Sequence, residues 1–215
     1  MNQWSSNRLL TAMLTIPISG ALGAAVLLLR GPLVIPLTGA SDWIEIVSSA
    51  NFLVYQNLLI VSYVLPFVGF LALYEYLRRD VRVEKLSFVG VILTLWGTAL
   101  ALPSLGIISF VAPIASQLGS GEQAMIGQII TDALTGSGFM IGILAAIFYT
   151  IGPMLFGIAI WRNANLSNVA AVLFAIHGVF LSFGFSFFPA LLIGWILLAI
   201  SGILISIGVR KHNQG

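Results

Sequence analysis

Hydrophobic residues in this chain fall into six long runs, at about 9–29, 52–77, 87–113, 138–161, 166–184 and 188–209, each close to the roughly 20 residues an α-helix needs to cross about 30 Å of hydrocarbon. A helix satisfies its own backbone hydrogen bonds, which lipid cannot do. The pattern therefore predicts an all-α fold, a six-span transmembrane helical bundle. The connections are too short to form a separate soluble unit, so residues 1–215 read as a single transmembrane domain.

Prolines interrupt the first four runs at Pro17, Pro66, Pro103 and Pro153, each removing a backbone hydrogen bond and inviting a kink. Gly138 with Gly142 forms a GxxxG pair and Gly20 with Ala24 a small-xxx-small pair, which predict close helix contacts. The first run begins like a secretory signal, with Arg8 ahead of it and Gly20, Ala21, Gly23, Ala24 and Ala25 inside it. Because it stays apolar to Leu29, it reads as a retained helix.

The connections have characters of their own. Pro32, Pro36 and Trp43 place the first at the headgroup level. The third contains SGEQAMIGQIITDAL, in which Ser120 and Gln123 have capping-box spacing. Met125, Ile126, Ile129, Ile130, Ala133 and Leu134 share one face of it. This predicts a short amphipathic outer helix between spans 3 and 4, lying in the interface rather than acting as a lid. The turn between spans 5 and 6 is uncharged and crowded with Phe180, Phe183, Phe185, Phe187 and Phe188, which places it at or below the outer interface.

Span 2 carries more polar groups than the others. At 100° per residue from Asn51, Ser62, Tyr55 and Pro66 fall at about 20°, 40° and 60°, with Tyr63 and Gln56 at about 120° and 140°. That wedge is expected to face the protein. Asn57, at about 240°, lies outside it.

Composition agrees: 59% of the 215 residues are hydrophobic and only 7% charged, where soluble domains carry about a quarter. Arg8, Arg78, Arg79, Arg82, Lys85, Arg162, Arg210 and Lys211 flank one side, and Arg30 alone lies on the other with Asp42, Glu45, Glu122 and Asp132. The positive-inside rule then puts both termini in the cytoplasm. The sequon at Asn165 falls on that side and is expected to be silent. The small net charge of +2 gives no reason to expect nucleic acid.

Chemistry is sparse. With no cysteine there is no thiolate site. No charged residue lies near the middle of a span, which argues against a proton-relay carrier, and Lys85 and Lys211 are both terminal, which excludes a retinal lysine. HExxH, phosphate-loop and nucleophile-elbow motifs are absent. What remains is Gln56, Asn57, His177 and Trp195 at a similar depth in the outer half, with Tyr63, Trp96, Tyr149 and Thr150 nearer the midplane. Together they suggest a polar and aromatic pocket, against which stands ordinary interhelical bonding. His177 as a haem ligand lacks a second intramembrane histidine.

The span ending LALYEYLRR, the span ending PMLFGIAIWR and the opening NLSNVAAVLFAIHG resemble those of bacterial six-helix integral membrane proteins grouped as a domain of unknown function. The resemblance implies a compact protein of the bacterial inner membrane and carries over no site residue or cofactor. The expected function is non-enzymatic: binding of an apolar or amphipathic ligand such as a lipid, quinone or pigment at Gln56, Asn57, Tyr63, His177 and Trp195, or an accessory role beside a membrane partner or a second copy. A small-molecule transporter or channel is the alternative, and a membrane-embedded enzyme the third.

Overall fold

The computed structural model describes residues 3–31, 46–115, 117–136, 138–184 and 187–214, and among these no strand occurs. The helices are α1 (Gln3–Met13), α2 (Thr15–Arg30), α3 (Phe52–Val64), α4 (Pro66–Leu77), α5 (Glu84–Ala115), α6 (Ser120–Thr135), α7 (Phe139–Arg162), α8 (Asn168–Phe183) and α9 (Phe188–Gln214). Five stretches are long and apolar enough to cross a membrane: Asn7–Arg30, Phe52–Leu77, Glu84–Ile114, Phe139–Arg162 and Phe188–His212. Leu28, Val68, Phe110 and Ile203 are among many large apolar side chains on their outer faces, a surface suited to lipid rather than water. The fifth expected span is shorter: α8 has 16 residues, about 24 Å of helix. The Phe-rich turn begins directly after it, with Phe183 and Phe187 exposed. Phe185, like Pro32, Pro36 and Trp43 of the first connection, lies outside the described residues.

The prolines act in two ways. The first span divides at Leu14, ahead of Pro17, and the second at Leu65, ahead of Pro66. Pro103 and Pro153 sit inside continuous helices instead.

Close approaches at small residues define the neighbours, and all of these pairs run antiparallel. A Cβ on Gly97 would lie 2.6 Å from the Tyr149 backbone and one on Gly152 2.5 Å from that of Thr94, joining α5 to α7. Similar approaches join Gly157 to Ala175, Gly194 to Leu181, Gly20 to Ala199 and Gly69 to Ile16. Without a hydrophobic force between helices in lipid, such intimate contact is what drives their association. The spans form a ring in the order α5, α7, α8, α9, α1–α2, α3–α4, closing on α5 through its most lightly packed seam. The Gly20 pair makes the contact expected of it, whereas a Cβ on Gly142 would meet nothing within 4 Å among the described residues.

Helix α6 closes one end of that seam. Ile130, with Ile126, packs against Val47, Phe52, Ile108 and Ala112, while Met125 and Ile129 stay exposed. It is therefore docked on the bundle along one edge of its apolar face, a lid-like placement that the interfacial reading did not favour. Its start is also shifted from the expected capping box: the Gly119 N–H donates to the Glu122 carboxylate at 3.2 Å and Gln123 Nε2 donates to the Leu118 carbonyl at 2.8 Å. The side chains of Ala133 and Leu134 lie outside the described residues.

At the opposite end the basic residues gather. The Tyr76 ring meets His212 with centroids 6.3 Å apart, bringing the ends of α4 and α9 together. Arg78 pairs with Glu75 at 2.7 Å and Arg82 with Asp80 at 2.8 Å. The Arg82 guanidinium, by hydrogen bonding, holds the Asp80 carboxyl below its usual range.

Candidate functional site

Buried polar side chains in this bundle divide into two classes. Ser19, Ser62, Thr94, Thr98, Ser109 and Ser201 each donate to a carbonyl three or four residues earlier in their own helix, the usual way a hydroxyl is satisfied in an apolar setting. Thr150 donates to Ser182 across α7 and α8 at 2.9 Å, and Ser182 reaches the Ala146 and Gly178 carbonyls. The first six bond within their own helices, Thr150 and Ser182 tie α7 to α8, and in all of them the hydroxyl proton is already used.

The second class is different. Arg30 Nε, Gln56 Nε2, the Tyr63 hydroxyl, Trp195 Nε1 and His177 Nε2 are all buried without a hydrogen-bond partner among the described residues. An unmet buried polar group costs about 1–3 kcal/mol, more when charged. Tyr76 at the basic end shares the condition, although its hydroxyl approaches Asn165.

Four of these side chains follow one another through the bundle. Arg30 ends α2 and its Nη1 donates to Gln56 Oε1 at 2.7 Å. Tyr63 lies seven residues on, two helical turns, which keeps it on nearly the same face of α3. It is within electrostatic range of Arg30. Its ring meets Trp195 of α9 edge-on, centroids 4.8 Å apart at 75°. Trp195 lies over Gly23 of α2, where a Cβ would come within 2.4 Å of the indole. A bare α-carbon there makes the indole's position possible.

On the far side, Tyr149 of α7 lies within electrostatic range of Tyr63 and meets the His177 ring with centroids 6.1 Å apart. His177 Nδ1–H donates to the Phe174 carbonyl, so the neutral ring presents Nε2 as an acceptor. Toward the basic end, Phe174 packs against both Phe70 and Phe156 with centroids 5.7 Å apart. These rings form an aromatic floor to the cluster.

Of the residues the sequence singled out, Gln56, Tyr63 and Trp195 come together, and His177 joins through Tyr149. Asn57 is exposed on the other side of α3 and takes no part. Trp96, expected at pocket depth, is 58% exposed and faces outward. Arg30 was missed because it was read as a span flank; its signal was being the lone basic residue on the otherwise acidic side. Among the described residues no group of three or more His, Asp or Glu side chains forms a metal site.

Comparison with known proteins finds no matching family, no matching curated sequence and no matching solved structure.

Proposed function

We propose that this chain is a six-span protein of a bacterial inner membrane, both termini cytoplasmic, that binds an apolar or amphipathic small molecule without transforming it. The observation that carries the reading is the run of unpartnered buried groups from Arg30 and Gln56 to Tyr63 and Trp195. Polar atoms left unmet in a membrane bundle are costly, and a bound molecule with a polar head removes that cost. The floor of Phe70, Phe156 and Phe174 favours binding over free passage along the axis. The gathering of basic residues at one end supports the orientation.

The test is to purify the protein in a mild detergent, record its absorption spectrum and identify bound small molecules by mass spectrometry. A ligand near one per chain is expected in the wild type, and at least a severalfold loss in Gln56→Leu and Trp195→Phe. Equal ligand content in all three would overturn the site. For the orientation, single cysteines replacing Arg82 and Arg162 are expected to resist an impermeant outside label, and those replacing Glu45 and Asp132 to accept it. The reverse pattern would refute it.

A further inference from the structure

We infer that the ligand bears an anionic oxygen head, a carboxylate or a phosphate, and that Arg30 is its charge partner; this rests on the binding reading above. A guanidinium has five N–H donors and no acceptor. The bond to Gln56 uses one, and Arg30 Nε is buried without a partner among the described residues. Among the described residues no carboxylate pairs with Arg30: the ion pairs there join Arg78 to Glu75 and Arg82 to Asp80, at the opposite end of the bundle. Arg30 is part-buried, and a cation partly withdrawn from water without a counter-ion is disfavoured.

The neighbours sharpen the class. Only the oxygen of the Gln56 amide can accept from the guanidinium, so its NH2 is left over as a donor. Gln56 itself is 0% exposed. The Tyr63 hydroxyl, 3% exposed with its residue and without a partner among the described residues, is a further donor two turns along α3. A neutral carbonyl could accept from two donors but would leave the charge uncompensated. A carboxylate or phosphate meets several and neutralises it, in the short charge-assisted bonds guanidinium favours. An acyl chain on that head has least protein to displace at the lightly packed seam between α3 and α5.

The experiment measures the melting temperature of the purified, delipidated protein with palmitate, hexadecyl phosphate, methyl palmitate or decylubiquinone. Palmitate or hexadecyl phosphate is expected to raise it in the wild type, while methyl palmitate and decylubiquinone do not. The rise that remains specific to one anion tells a fatty acid from a phosphate head. In Arg30→Gln the apparent affinity is expected to fall about tenfold or more, and Arg30→Lys to recover part of it. If the neutral probes act as well as the anions, or Arg30→Gln keeps full affinity, the anionic head is wrong while the binding reading stands. If no probe acts and no small molecule copurifies, both fail.

Discussion

Trp195 stands edge-on against Tyr63, ring centroids 4.8 Å apart, in a space that exists because residue 23 is glycine. Three spans thus meet at one aromatic contact: α9 supplies the indole, α3 the phenol and α2 the gap. Gly23→Ala places a methyl 2.4 Å from the indole. It is expected to destabilise the bundle by about 1–3 kcal/mol, the usual cost of overpacking. Thermal unfolding in detergent measures the loss, and a change in Trp195 fluorescence, isolated by comparison with Trp195→Phe, locates it. An unchanged melting temperature would mean that the indole sits elsewhere.

The α5–α7 interface offers a paired comparison. Gly152 approaches the Thr94 backbone, leaving 2.5 Å for a Cβ, while Gly142 on the same helix meets nothing within 4 Å. Backbone cannot step aside as a side-chain tip can. Gly152→Ala is expected to lower the melting temperature clearly, and Gly142→Ala to leave it unchanged or slightly raised by better helix propensity. Equal effects would contradict the ring order.

Two buried polar residues on α3 are expected to respond to different degrees. Gln56→Leu removes the acceptor of Arg30 and is expected to cost about 1–3 kcal/mol, because a buried charged group loses its bond. Ser62→Ala removes a hydroxyl bonded only to Leu58 of its own turn, and its expected cost is under about 1 kcal/mol. Unfolding measured on both variants in one detergent tests the division between satisfied and unsatisfied groups.

Helix α6 rests on a small core separate from the main one. Ile130 is buried among Val47, Phe52, Ile108 and Ala112, so Ile130→Ala is expected to loosen that docking by roughly 2–5 kcal/mol, the range for truncating a buried isoleucine to alanine. Because the loss is local, proteolysis within residues 117–136 should quicken while the melting of the bundle stays the same. Faster cleavage with a matching loss of bundle stability would show that α6 is part of the cooperative unit.

Much of this protein was determined by sequence alone. Hydropathy set the helices, since a long apolar stretch in lipid has no other way to satisfy its backbone. Helical phase alone turned Gln56, Ser62 and Tyr63 inward, because the 3.6-residue period is a local property. Tertiary structure decided the rest. Lipid does not distinguish one apolar helix face from another, so neighbours are chosen by close fit at small residues, and that fit is a relation between distant segments. It faced Trp96 outward, docked α6 on the bundle and placed Trp195 over Gly23. It also folded the Arg30 guanidinium back onto Gln56, 26 residues on in the chain. No local pattern encodes that bond, because a flexible side chain at a helix end points wherever a partner is supplied.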